Sequence, residues 1–120
     1  MEKVTYWNKE METLPREKLE ALQLERFRER MQYVYERSPM FRRKYDEAGI
    51  KPSDILSLDD IQNVPFTVKE ELRESQSKKP PWGDFPCISP EQGVRVFQTT
   101  GTTGIPVKVL LNKTDWYKHF

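Results

Sequence analysis

Gln98-Thr99-Thr100-Gly101-Thr102-Thr103-Gly104-Ile105-Pro106 is the run on which the reading of this chain turns. It has two glycines, four threonines and no charged residue. A polyphosphate needs many hydrogen-bond donors converging on a small volume. Backbone N–H groups converge only where the chain bends sharply, and glycine permits such bends. The threonine hydroxyls add further donors. Thr99, Thr100, Gly101, Thr102, Thr103 and Gly104 are therefore the candidate phosphate contacts. On composition alone the run reads equally well as a polar hairpin turn, because Gly is common in turns and Thr hydroxyls bond to their own backbone. It is not a Walker A loop, which needs four residues between its glycines and then Gly-Lys-Ser/Thr. Nor is it a dinucleotide fingerprint, since no Gly-x-Gly-x-x-Gly occurs.

Outward from this run the pattern is β-like. Val94-Arg95-Val96-Phe97 alternates as a strand does, and Val107-Lys108-Val109-Leu110-Leu111 reads as a second strand. Thr114 is placed to cap a helix that the end of the sequence cuts off. Upstream, residues 76–93 hold Pro80, Pro81, Pro86 and Pro90 and read as a linker or irregular loop. Residues 1–75 are charged and helical in pattern. A first helix is expected from Pro15, with Leu19, Leu22, Phe27, Met31, Val34 and Tyr35 as its apolar stripe. It ends at Ser38, because Pro39 disfavours helical geometry in the residue before it. Ser38 then caps a second helix with Pro39 in its first turn, and Gly49 closes it. Arg42–Asp46 and Arg43–Glu47 have the i,i+4 spacing of weak helical ion pairs. Ser57-Leu58-Asp59-Asp60 and Thr67-Val68-Lys69-Glu70 resemble capping boxes, each opening a short helix, the second reaching about residue 75. The expected division is a helical segment over residues 1–75, a proline-rich linker over 76–93, and the opening of a further domain over 94–120. The fold class is α+β.

The totals restrict function. Lys plus Arg is 20 against 19 for Asp plus Glu, a formal net charge of +1, so nothing calls for nucleic acid or a membrane surface as partner. The hydrophobic share is 36%, and five glycines do not bring it to the roughly 45–50% usual for a self-contained domain. Cys87 is the single cysteine, so neither an internal disulfide nor a cysteine metal site can form. No signal peptide and no apolar run of about 18 residues is found, and a cytoplasmic location is expected. His119 and Cys87 lack the partners that a base or nucleophile needs, so no catalytic residue is assigned. Acidic side chains interleave with Arg26, Arg28, Arg30, Arg42, Arg43 and Lys44, which read as a solvated helix face. Trp7, Trp82 and Trp116 read as packing anchors.

The 99–106 run resembles the phosphate-binding loop of the adenylate-forming enzymes, the acyl-CoA synthetase superfamily. The stretch from Tyr6-Trp7-Asn8 to Pro106 is similar to the N-terminal region of phenylacetate–CoA ligases. The matches lie at Leu14-Pro15-Arg16-Glu17, Leu22-Gln23-Leu24, Val34-Tyr35-Glu36-Arg37-Ser38-Pro39, Phe41-Arg42, Ala48-Gly49-Ile50 and Val64-Pro65-Phe66-Thr67-Val68-Lys69. The resemblance implies the opening strand–loop–strand of an α/β adenylate-forming domain, cut short at residue 120. It implies ATP, Mg²⁺ and coenzyme A as cofactors and a carboxylic acid, of the aryl, phenylacetate-like kind, as substrate. The β- and γ-phosphates would lie on residues 99–104. A homo-oligomer is a further possibility. Many such enzymes carry Lys before the loop proline, where this chain has Ile105; Lys108 is the next cation in sequence. The adenine, acid and lid sites would lie beyond residue 120, leaving the 120 residues inactive alone. The alternative is a non-enzymatic helical interaction module with an ordinary Gly/Thr turn.

Overall fold

A computed structural model describes residues 4–101 and 104–119, the side chain of His119 excepted. Thr102 and Thr103, two of the six candidate contacts, lie outside the described residues.

The chain runs through α1 (Lys9–Glu12), α2 (Arg16–Arg37), α3 (Pro39–Glu47), α4 (Lys69–Lys78), β1 (Gly93–Gln98), β2 (Lys108–Asn112) and α5 (Lys113–His119). Short 3₁₀ turns occupy Pro52–Asp54, Leu58–Asn63 and Pro90–Gln92. The helical part followed by a strand–loop–strand is the α+β arrangement expected. Pro15 sits at the N-cap of α2, and α2 stops at Ser38. The buried Ser38 then caps α3, its Oγ accepting from Phe41 N–H at 3.3 Å. The end of α3 is a Schellman turn: Ile50 N–H donates to Tyr45 C=O at 3.0 Å and Gly49 N–H to Asp46 C=O at 3.0 Å. Gly49 has φ +68°, a left-handed geometry that a Cβ would oppose. The turn places Ile50 and Tyr45 in the main core with Met31 and Ile55, and Leu24, Phe27, Val34, Tyr35, Phe41 and Val64 pack around them.

Several local expectations are corrected. The box at Ser57 forms, with Asp60 accepting from Ser57 and Leu56 N–H, but it opens a 3₁₀ turn. The N-cap of α4 is Val68, and its N–H donates to Glu71 rather than Glu70. Glu71 is held there because it also takes the Lys44 ammonium at 2.6 Å. α4 extends to Lys78, past residue 75. Neither i,i+4 pair of α3 is made. Asp46 accepts from the Tyr35 hydroxyl at 2.6 Å, Arg42 lies over the Tyr35 ring, and Arg43 reaches Asp84 at 2.7 Å. α5 is capped by Asn112, which exchanges hydrogen bonds with Asp115, and Thr114 lies inside the helix. Trp116 does anchor: it stacks on Phe97 with centroids 6.3 Å apart, and Arg95 lies over its ring. Trp7 does not, being 99% exposed.

The proline-rich stretch is tied down at Asp84. Its C=O accepts from Met40 N–H at 3.0 Å, its N–H donates to Ser75 Oγ at 2.8 Å, and its carboxylate accepts from Ser75 Oγ and Arg43. Burial pushes this carboxyl up, but the Ser75 hydroxyl and the Arg43 guanidinium outweigh it and hold the group below its ordinary value. Asp84 thus joins the start of α3 to the face of α4, and α4 in turn backs the hairpin.

Candidate phosphate-binding site

β1 and β2 pair antiparallel, with Gln98 opposite Lys108, Phe97 opposite Val109 and Val96 opposite Leu110. The 99–106 run is therefore the tip of a hairpin. Thr99 extends the ladder by one step. Its N–H donates to Val107 C=O and its Oγ1 accepts from Val107 N–H, both at 3.0 Å. The Thr99 hydroxyl is thereby fixed while its own hydrogen remains a donor. Val107 is 1% exposed and pins the base of the loop.

Gly101 turns the loop. Its φ is +67°, and its C=O accepts from Gly104 N–H at 3.1 Å, which brings the two glycines together. A Cβ on Gly101 would stand 2.7 Å from Pro106 Cγ and 2.8 Å from Gly104 C=O. Pro106 thus folds back over Gly101, so the position needs glycine for both its dihedral and its space. Gly104, at φ +154°, meets something different: a Cβ there would face the Arg73 guanidinium at 3.8 Å.

Arg73 and Gln76, on one face of α4, hold the loop from behind. Arg73 Nε donates to Ile105 C=O at 3.1 Å. The Gln76 amide donates to Lys108 C=O at 2.6 Å and accepts from Lys108 N–H at 3.1 Å, occupying the outer edge of β2 as a further strand would. Sequence reading missed both residues. Each is 32 residues from its partner, and the only local signal is their i,i+3 spacing on a helix face. A cleft of about 510 Å³ opens beside the loop, lined among others by Arg73, Gln76, Gly104, Ile105, Pro106 and Lys108.

The donors here, backbone N–H, threonine hydroxyl and guanidinium, suit an anion. Among the described residues no cluster of three His, Cys, Asp or Glu could hold a metal. The described residues therefore offer no carboxylate cage for Mg²⁺. Burial pushes the Cys87 thiol up, which keeps it a poor nucleophile. Among the described residues no helix is long and apolar enough to cross a membrane.

No family model matches the chain. Solved structures do. A 2-hydroxyisobutyryl-CoA ligase bound to its acyl-AMP in the post-adenylation state superposes with TM-score 0.85 at 37% identity, over 92% of this chain and 23% of that one. The same ligase with acyl-AMP and CoA in the thioesterification state gives TM-score 0.86 at 39% identity. By fold, then, the chain matches the N-terminal part of an adenylate-forming CoA ligase.

The curated relatives narrow the class. A phenylacetate–CoA ligase of Thermus thermophilus is 46% identical over 106 residues, which is 88% of this chain, and one of Escherichia coli is 37% identical over 105 residues. The chain is thus related to the phenylacetate–CoA ligase-like branch of the adenylate-forming superfamily, matching its N-terminal portion. It spans about 23% of the length of those curated relatives.

Proposed function

We propose that this chain supplies the triphosphate-gripping part of an acid–CoA ligase. In that reaction a carboxylate oxygen attacks the α-phosphorus of ATP and pyrophosphate leaves. The CoA thiol then attacks the acyl carbon of the adenylate and AMP leaves. The observation that carries the proposal is the hairpin tip. Gly101 turns it under Pro106, Thr99 locks its base, and Arg73 and Gln76 brace it, in a chain whose relatives are named for this activity. The described residues of the 99–104 run hold the β- and γ-phosphates, with Thr99 and Thr100 giving hydroxyls, Gly101 turning the chain beneath Pro106 and Gly104 leaving room for close approach. Holding the leaving pyrophosphate in place stabilises charge that develops on it in the transition state. The acid is of the aryl, phenylacetate-like kind, as the printed names of the curated relatives suggest. The division at residues 75 and 93, the cytoplasmic location and the inactivity of these 120 residues alone belong to the same proposal.

The test is exchange of labelled pyrophosphate into ATP by the longer ligase carrying this segment, with phenylacetate or 2-hydroxyisobutyrate as the acid. Faster exchange with phenylacetate supports the reading. Preference for the hydroxy acid would overturn the substrate class, and absence of acid-dependent exchange would overturn the activity.

A further inference from the structure

The geometry points to Arg73 as the charged member of the phosphate site, contributed by α4 rather than by the loop. This inference rests on the loop being a phosphate cradle and adds the residue that neutralises the phosphate.

The 99–106 run carries no charge of its own. A polyphosphate held only by neutral donors keeps most of its charge uncompensated in a partly closed cleft, where charge-assisted hydrogen bonds are roughly twice as strong as neutral ones. Arg73 reaches this run from 32 residues away and stays against it. Its Nε is fixed on Ile105 C=O at 3.1 Å, and its side chain is only 18% exposed. The guanidinium lies against Gly104, with Cζ at 3.8 Å and Nη1 at 4.0 Å from where a Cβ would stand. Gly104 and Arg73 line the same 510 Å³ cleft, so a longer side chain at residue 104 would crowd the guanidinium there.

The neighbouring charges permit this role. Glu70 lies 3.4 Å from Nη1, a long contact to a carboxylate whose side chain is 74% exposed, so a phosphate would displace it at small cost. Glu74, on the cleft rim, is paired with Lys78 at 2.6 Å. Lys108 also lines the cleft and adds positive charge. The guanidinium has five N–H donors, and a phosphate would draw on its terminal nitrogens in exchange for the contacts they now make, while Nε keeps the loop in place.

Pyrophosphate is titrated by calorimetry into the longer ligase carrying this segment, at two salt concentrations. Arg73→Gln is expected to weaken binding about tenfold or more at low salt and to flatten its salt dependence. Arg73→Lys, which keeps the charge and guards against a variant that fails to fold, is expected to retain the salt dependence and part of the affinity. Unchanged binding by Arg73→Gln would overturn the inference. So would weaker binding with the native salt dependence, since Arg73 would then be only a strut for Ile105. If the native ligase itself binds no pyrophosphate at millimolar concentration, the loop reading falls and this inference with it. Binding that survives Arg73→Gln unchanged sinks this inference alone.

Discussion

At the residue scale the loop separates positions that cannot change from positions that can. Gly101 combines a positive φ with Pro106 and Gly104 packed where a Cβ would go, so any side chain there distorts the turn. Thr100 is exposed, and none of the turn's hydrogen bonds described above uses its side chain. Thr100→Ala in the intact ligase should therefore cost no more than one neutral hydrogen bond, roughly 0.5–1.5 kcal/mol, read as about a two- to twelvefold rise in the KM for ATP. Ile105, 76% exposed at the cleft, has room for a longer side chain. Ile105→Lys should tighten pyrophosphate binding, with a gain that shrinks as salt is raised. Tightening that is indifferent to salt would argue against a charge effect. The loop and its glycines were legible in the sequence because turn chemistry is local. Arg73 and Gln76 were not, because their roles exist only once α4 lies against the hairpin.

At the element scale the caps were the most legible features. Pro15, Ser38-Pro39 and Gly49 each sit where a helix starts or ends, since capping depends on neighbours in sequence. α1 was missed because its one turn leaves no periodicity to read, only Asn8 accepting from Met11 N–H. The 3₁₀ turns at Pro52–Asp54 and Pro90–Gln92 were missed for the same reason, while the one after Ser57 was read as a short helix. The shift of the α4 cap from Glu70 to Glu71 is decided by Lys44, 27 residues away. Asp84 is the element-scale prediction. Its carboxyl is held below the ordinary value of 3.8, so it binds protons more weakly folded than unfolded. The stability it gives is complete above that ordinary value and is lost as pH falls through the lowered folded one. Glu71, held low first by the Lys44 ammonium, behaves alike from its ordinary value of 4.5. Denaturant melts should therefore weaken below about pH 4 in the native chain. Asp84→Asn should be less stable at neutral pH and flatter towards acid. An Asp84→Asn chain with the native acid profile would show that Asp84 does not set it.

At the scale of the whole molecule the chain is elongated. Its radius of gyration is 17.4 Å, where a compact domain of this length would have about 14 Å. The main core gathers few residues, with Ile55 fully buried at its centre, and Ile55→Ala should cost roughly 2–5 kcal/mol. A core this small also makes residues 1–75 by themselves a poor independent unit, expected to melt with low cooperativity or to self-associate. A sharp, concentration-independent two-state melt of that segment as a monomer would contradict this. The hairpin is similarly incomplete, since two strands are marginal alone, and Val94, Val96 and Phe97 stay about half exposed. The small core and the open hairpin support the proposal that this segment works within a longer ligase. The most direct test of the central claim compares acid-dependent exchange of labelled pyrophosphate into ATP by the intact ligase and its Gly101→Val variant. If the hairpin tip grips the phosphates, the variant loses most of the exchange while still folding. Equal rates in the two proteins would make the loop an ordinary turn.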